Sequence, residues 1–588
     1  MRLPLTGVSP PALFRWILSI FVWENFALGG FNMSGEKYVI GVDFGTLSGR
    51  AVLVEAKTGR VVVQEECPYR HGILPQLPGG PPLDHGWAIQ DPDDYLQVLE
   101  ETIPALLRRA GVSGEQVAGL GCDVTSCTIL PTARDGTPLC RLKEYHRQPH
   151  AYAKLWKHHG AVRQAERIEV WTREKYPDLL RRYGGRVSSQ WLLPKVLQLL
   201  EEAPEVYQGC DLILEMVDWL SFQLTGQLRR NACCAGFKSF WTPGEGYPPA
   251  NFFTGLDTRL ADLLPKKLRG EAAAPWESVG QLTPEWARRL GLTIRTQVSA
   301  GIIDAHAGVL GSGVTEAGRM VMVLGTSACH LLLSPEERMV PGICGSCRDG
   351  ILPGFYAYEA GQACVGDMLE WLIRSNISSI CARGAELNSQ LAHQTLTRQA
   401  GLLRPGESGL LALDWWNGQR TPLVNNRLTG VMVGLTLSTT VAEQYRTLLE
   451  AAAFGGRTIV EVFEKAGLGI SEVTACGGIA RKNPLMMQIY ADVLDRPIRV
   501  AASDQCPALG AAALAAAAAG LFQSPLQAVS VISSPRETLY VPQPENAAVY
   551  QILYRQYQAL TRCFSAGGMM DELTALRKSG RGRAFFSK

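Results

Sequence analysis

A carboxylate placed directly behind an apolar strand and ahead of a turn rich in glycine and hydroxyls suits a metal-bound phosphate. Tyr38-Val39-Ile40-Gly41-Val42 leads into Asp43, followed by Gly45, Thr46, Ser48 and Gly49, and the apolar run resumes at Ala51–Val54. Such a turn offers backbone N–H groups and hydroxyls with little side-chain bulk, and Asp43 is the oxygen ligand that magnesium on a phosphate needs. Taken alone, the stretch is equally an ordinary hairpin. The design returns at Met320–Leu324, Gly325-Thr326-Ser327-Ala328 and Leu331–Leu333. An internal duplication turns one hairpin into half of a clamp on a nucleotide's phosphates, with Thr46, Gly325 and Thr326 as its contacts. Val473–Cys476 runs into Gly477-Gly478 and on to Asn483, a strand, glycine pair and helix start suited to adenosine or a phosphate. Asp304 follows Ile302-Ile303 among small residues. By position it is either a general base for a hydroxyl or a helix cap.

Several elements must hold these residues. Asp91–Gly111 carries apolar residues at helical spacing and ends at a glycine. Val117–Thr125 is predicted to be a strand ending in small polar residues, where Ser126 stands. Leu155–Trp171 has helical character, and His158 and His159 are read there as a solvated helix face rather than a metal site. Asn231–Trp241 is read as a polar and aromatic loop carrying Lys238. The spacing predicts a helix over Gln281–Leu292, a strand over Gln297–Gly301 and a helix over Ala451–Ala466. Ala508–Leu521 is a small-residue helix built for close packing.

A length of 588 residues exceeds what one core serves, so two large domains are expected. A formal charge of +2 advertises no basic face for nucleic acid. The 15 cysteines form no regular framework and read as reduced thiols; Cys344 and Cys347 lack the second pair a zinc site requires. Trp16–Trp23 is apolar and preceded by Arg15, but Glu24 interrupts it short of a membrane-spanning length. Met33 is therefore expected to be the biological start, with Met1–Asn32 either an over-extended reading of the gene or a disordered leader, and no membrane partner is expected. The basic tail Ser579–Lys588 is expected to be disordered.

In their order, Asp43-Phe44-Gly45-Thr46, Gly325-Thr326-Ser327 and Gly477-Gly478 resemble the actin-like ATPase superfamily and, within it, the FGGY carbohydrate kinases. Asp414–Pro422 is similar to that family's Gly-Glu-Arg-Thr-Pro segment, with Gln419 replacing the usual Glu. Leu155–His159, Ala235–Trp241, Glu359–Gln362 and Gly477–Asn483 resemble the bacterial members that phosphorylate L-ribulose. The likeness runs from Tyr38 to about Arg562. It implies an α/β fold of two actin-like (ribonuclease H-like) ATPase domains around a central cleft. Residues 37–313 would serve sugar, phosphate and magnesium, and residues 314–565 ATP, between a leader (1–36) and a tail (566–588).

The resemblance further implies ATP and Mg2+ as cofactors, a sugar hydroxyl as acceptor and a cytoplasmic homodimer. By it Asp304 is the base, Asp43 holds magnesium, Thr46, Gly325 and Thr326 meet phosphate, and Gly477, Gly478 and Asn483 meet adenosine. Lys238 and Glu359 bind the sugar, with Ser126 lining the same pocket. The implied reaction converts L-ribulose to L-ribulose 5-phosphate in L-arabinose use; the alternative is D-ribulose or another pentulose or pentitol. A nucleotide-gated interaction protein on the same fold would lack the pocket made by Lys238, Asp304 and Glu359. Relatives often carry Asp where this chain has His158, which leaves that loop without an assigned role.

Overall fold

The computed structural model describes residues 35–84, 86–380, 389–533, 538–566, 568–573 and 576. The leader expected over Met1–Asn32 and the tail Ser579–Lys588 lie outside them. The first half opens with β1 (Tyr38–Phe44), β2 (Ser48–Glu55) and β3 (Val61–Pro68), then α1 (Asp93–Ala110) and β4 (Val117–Val124). Short strands from before α1 and after β4 form a separate five-stranded sheet, and then come α2 (Ala232–Lys238), β5 (Ser278–Gln281), β6 (Gln297–Ser299), β7 (Ile302–Ile303) and α3 (Asp304–Gly311). Their sheet runs β5-β6-β4-β1-β2-β3, with β7 also paired to β4. Every residue of β1 is buried, the pattern of a central strand covered on both faces.

The second half repeats the plan. β8 (Arg319–Leu324) and β9 (Ala328–Ser334) form an antiparallel hairpin, followed by β10 (Gly345–Arg348) and β11 (Tyr356–Gln362). Next come α4 (Val441–Lys465), β12 (Glu472–Cys476), α5 (Gly478–Lys482), β13 (Ile498–Val500), α6 (Cys506–Ala518) and β14 (Thr538–Tyr540). The second sheet runs β10-β11-β9-β8-β12-β13-β14. In each half the first strand pairs antiparallel with its hairpin partner and parallel with a later strand: β1 with β2 and β4, β8 with β9 and β12. The duplication read from two short stretches therefore extends to whole sheets.

Differences from the expected elements have local causes. α1 is shorter at its start and stops at Gly111, whose φ of 64° suits glycine. Residues 155–161 are not helical; the helix there is Val162–Lys175. Asn231–Trp241 is not a loop. Asn231 caps α2 by accepting from the Cys234 amide, and the small residues Ala232–Gly236 pack as helix. α4 begins earlier than its apolar pattern because Thr440 and Glu443 form a capping box.

The alanine-rich α6 fulfils its expected close packing on the sheet of the first half. Gly41 on β1 is register partner to Gly121 on β4. A Cβ at Gly41 would sit 1.8 Å from the Ala508 carbonyl oxygen, and one at Gly121 2.2 Å from that of Ala511. Gly119 meets Ala515 in the same way, and where α3 crosses α6, Gly311 meets Cys506 and Gly510 meets Ala307. Cys506, Ala508, Leu509 and Ala512–Ala516 consequently join the apolar core built mainly by the first half. Gly41→Ala and Gly121→Ala should each cost about 1–3 kcal/mol through overpacking. Gly469→Ala, with nothing within 4 Å of the new Cβ, should be near neutral in the same urea unfolding assay.

Candidate active site

Parallel registers deliver three carboxylates to one sheet edge. β1 against β4 sets Asp43 beside Asp123, and β7 against β4 sets Ile302 beside Asp123 and Ile303 beside Val124. Asp304 is the next residue and the first of α3. The carboxyl ends of strands in open α/β sheets are where ligands bind. Asp43 is 6% exposed, and its Oδ2 lies 3.6 Å from Arg50 Nη1. Asp123 is fully buried, and neither of its oxygens accepts a hydrogen bond from the described residues.

These carboxyls cannot all ionise together. Burial raises Asp43, while a hydrogen bond from Asp123 and the Arg50 charge pull it back. Burial and then the Asp43 charge drive Asp123 well above the carboxylate range, so Asp123 is the partner that keeps the proton. Burial, followed by the Asp43 charge, lifts Asp304 to about 7. The helix-cap alternative for Asp304 does not hold. Its Oδ1 accepts only from the adjacent Ala305 amide at 2.7 Å, and the capping position belongs to Ile303. Asp123 was missed by the sequence reading, although Gly121-Cys122-Asp123 repeats the spacing of Gly41-Val42-Asp43.

Across from this edge, Lys238 at the end of α2 donates to Glu359 Oε1 on β11 at 2.7 Å. The pair joins the two halves, with side chains 5% and 8% exposed. Neither is a solvated surface charge. Burial alone would raise Glu359, but the Lys238 charge and a hydrogen bond with His306 hold it well below its ordinary value. Burial alone would lower Lys238, and the Glu359 charge outweighs it. His306 Nε2 lies 3.1 Å from Glu359 Oε2, another contact absent from the sequence reading. Ser126 follows β4, half-buried, with Oγ 3.3 Å from Cys127 Sγ. Behind it the fully buried Lys195 donates to the carbonyls of Cys127 (2.6 Å) and Leu155 (2.7 Å), tying those segments together.

The phosphate-type turns are braced as well. Thr46 Oγ1 accepts from Trp156 Nε1 at 3.1 Å, and its carbonyl accepts from Gln90 Nε2 at 2.8 Å. In the second hairpin the Gly325 amide donates to the Ser327 carbonyl, while the Thr326 carbonyl accepts from the Val365 amide. β8 and β12 pair Val323 with Cys476, which brings Gly477 beside Leu324. A Cβ at Gly477, whose φ is +97°, would lie 2.5 Å from the Leu324 carbonyl oxygen; one at Gly478 would meet nothing within 4 Å. Asn483 Oδ1 caps the helix Pro484–Leu494 through the Met486 amide.

His158 is not on a solvated helix face: it is fully buried, with Nε2 2.9 Å from Gln198 Oε1 and Nδ1 accepting from the Ala88 amide. Burial keeps it neutral. Gln419 braces its own loop, accepting from the Leu423 amide and donating to the Thr421 carbonyl. Every described cysteine is a free thiol. Among the described residues, no three His, Cys, Asp or Glu side chains are grouped to hold a metal, and no helix is long and apolar enough to cross a membrane. Asp43 offers hard oxygens only, a donor that fits magnesium kept mostly by phosphate and water.

Twin sheets of this topology, each opening on a strand that leads into a glycine-threonine turn, have the actin-like fold of two-domain ATPases. Residues 38–311 match the N-terminal domain, and residues 320–519 the C-terminal domain, of the FGGY family of carbohydrate kinases. The chain belongs to that family and is an ATP-using carbohydrate kinase. It is 46% identical over 539 residues to a ribulokinase from Anoxybacillus flavithermus, spanning 91% of this chain and 95% of that protein. It is 42% identical over 551 residues to a ribulokinase from Mycolicibacterium smegmatis, spanning 93% and 98%. A ligand-bound xylulose kinase from Lactobacillus acidophilus shares the fold, with TM-score 0.74 at 19% identity over 90% of this chain and 99% of that one.

The Lys238–Glu359 pair carries a stability prediction. Lys238→Met or Glu359→Gln alone leaves a buried charge or donor unpaired and should cost about 3–5 kcal/mol in urea unfolding. The double variant should cost less than the sum of the two.

Proposed function

We propose that this chain phosphorylates L-ribulose, moving the γ-phosphoryl group of MgATP to the terminal hydroxyl to give L-ribulose 5-phosphate in L-arabinose use. Two relatives named ribulokinase, similar across nine-tenths of the chain, support the choice of sugar. The observation that carries the mechanism is Asp304, a carboxyl poised at about 7 beside Asp43. Phosphoryl transfer is mostly alignment and charge stabilisation, and what a sugar hydroxyl needs from the protein is an acceptor for its proton. Asp304 accepts it in this reading, from a half-buried position at the start of α3.

Lys238 and Glu359 orient the sugar by donating to and accepting from its hydroxyls, with Ser126 lining the same pocket. Thr46, Gly325 and Thr326 hold the phosphates from the two hairpins, and Gly477, Gly478 and Asn483 lie along the adenosine. Asp43 would hold magnesium, which when bound supplies positive charge to the phosphoryl oxygens. Domains at 37–313 and 314–565 and a cytoplasmic homodimer complete the proposal.

A coupled assay for ADP over a panel of L-ribulose, D-ribulose, other pentuloses and pentitols tests the sugar. Preferred turnover of any sugar other than L-ribulose overturns that assignment. Asp304→Asn should lower turnover about 10²–10⁴-fold, with ATP binding retained in calorimetry. Because the ionised carboxylate is the active form, kcat/KM should rise with pH through about 7 and level above it. A flat acid limb would remove Asp304 from the role. Asp43→Ala should shift the magnesium titration to higher concentration; an unchanged titration would remove Asp43 from the metal.

A further inference from the structure

His306 lies two residues beyond Asp304 on α3 and is fully buried. Its Nε2 is 3.1 Å from Glu359 Oε2, and its Nδ1 is 3.0 Å from Cys233 Sγ on α2. Phe237 covers the ring at a centroid distance of 4.3 Å. The other oxygen of Glu359 takes the Lys238 ammonium. A single placement of protons satisfies all these contacts. Glu359, paired with Lys238, is an acceptor at both oxygens, so Nε2 of His306 must carry the hydrogen. A neutral imidazole then has its lone pair at Nδ1, which calls for a donor, and among the described residues the group there is the Cys233 thiol. Burial favours each of these forms: it keeps His306 neutral and pushes the Cys233 thiol well above its ordinary value.

We propose that Cys233 and His306 are positioning residues that fix Glu359 for the sugar. The thiol sets the imidazole tautomer, and the imidazole Nε2–H holds one carboxylate oxygen while Lys238 holds the other. No proton is transferred along this chain; its work is orientation, as outer hydrogen-bond partners orient ligating side chains elsewhere. The geometry has a second consequence. Glu359 belongs to the sheet of the second half, whereas His306 shares with Asp304 the first turn of α3. The sugar-orienting carboxylate of one half and the base of the other are therefore joined to one short stretch of helix by the His306–Glu359 hydrogen bond, beside the Lys238–Glu359 pair that also bridges the halves. This rests on the sugar-binding role proposed above for Glu359.

The test uses the full-length enzyme, MgATP and L-ribulose, or whichever sugar of the panel is turned over best. His306→Leu removes the donor and keeps the bulk, and should raise the sugar KM about 10-fold, the equivalent of one buried hydrogen bond to a charged group. The ATP KM should stay within about twofold. His306→Gln, whose amide can donate to Glu359 in place of Nε2, should restore most of the loss. An unchanged sugar KM in His306→Leu, a parallel rise in the ATP KM, or a His306→Gln variant no better than His306→Leu would overturn the proposal. Should His306→Leu not accumulate as folded protein, Cys233→Ser and Cys233→Ala carry the same comparison, with the hydroxyl variant expected to keep the lower sugar KM and equal values overturning the role.

Nitrogen-15 spectra of histidine-labelled protein, with His306 assigned by difference from His306→Gln, should show Nε2 protonated and Nδ1 bare. A protonated Nδ1 would overturn the thiol-donor arrangement. Failure of the wild type to phosphorylate any sugar of the panel would instead remove the functional reading, and the positioning role with it. A competent wild type matched by His306→Leu removes the positioning role alone.

Discussion

Parallel pairing of β1 with β4, and of β4 with β7, sets Asp43 beside Asp123 and brings Asp304 to the same sheet edge, where burial and like charge work against ionising all three. The rest of the site follows from how this conflict is settled. Arg50 favours charge on Asp43, Asp123 retains a proton, and Asp304 is left near neutrality. A carboxyl in that condition is the kind of group that accepts a proton at physiological pH. Its environment does this without any help from a distant residue, because burial is the leading cause for each member of the set.

The second half answers with a carboxylate of the opposite disposition. Glu359 is also buried, yet Lys238 and His306 give both of its oxygens a donor and keep it charged. Carboxyls thus end in different states according to their partners, which is how one site separates a group that moves a proton from one that holds a substrate. Since Lys238 and His306 stand on the first half and Glu359 on the second, the same contacts that tune Glu359 also join the domains.

Much of the frame was legible in local patterns. Two apolar runs ending in Gly-Thr turns announced the hairpins, and their recurrence announced a duplicated architecture that the sheets bear out. The departures share one cause: burial and pairing between segments far apart in sequence leave little local trace. His158 and Lys238 carry the composition of a wet surface and are enclosed. Asp123 repeats the Gly-x-Asp spacing of Asp43, but what matters is its register opposite Asp43, which only the folded sheet specifies. His306 takes its significance from Cys233 and Glu359, on two other elements. The helix of Lys238 was signalled by Asn231 at its cap, a cue outweighed by the polar and aromatic residues around it.

The seating of α6 bears on the order in which the chain can fold. Its backbone lies directly on Gly41, Gly119 and Gly121, and its side chains complete the first half's core. Most of the rest of that core is contributed up to Val314, while α6 arrives some two hundred residues later. During synthesis the first sheet must wait with a bare glycine stripe until the second half has emerged. Closure of the first core is then a late, long-range event, and the two halves finish folding together.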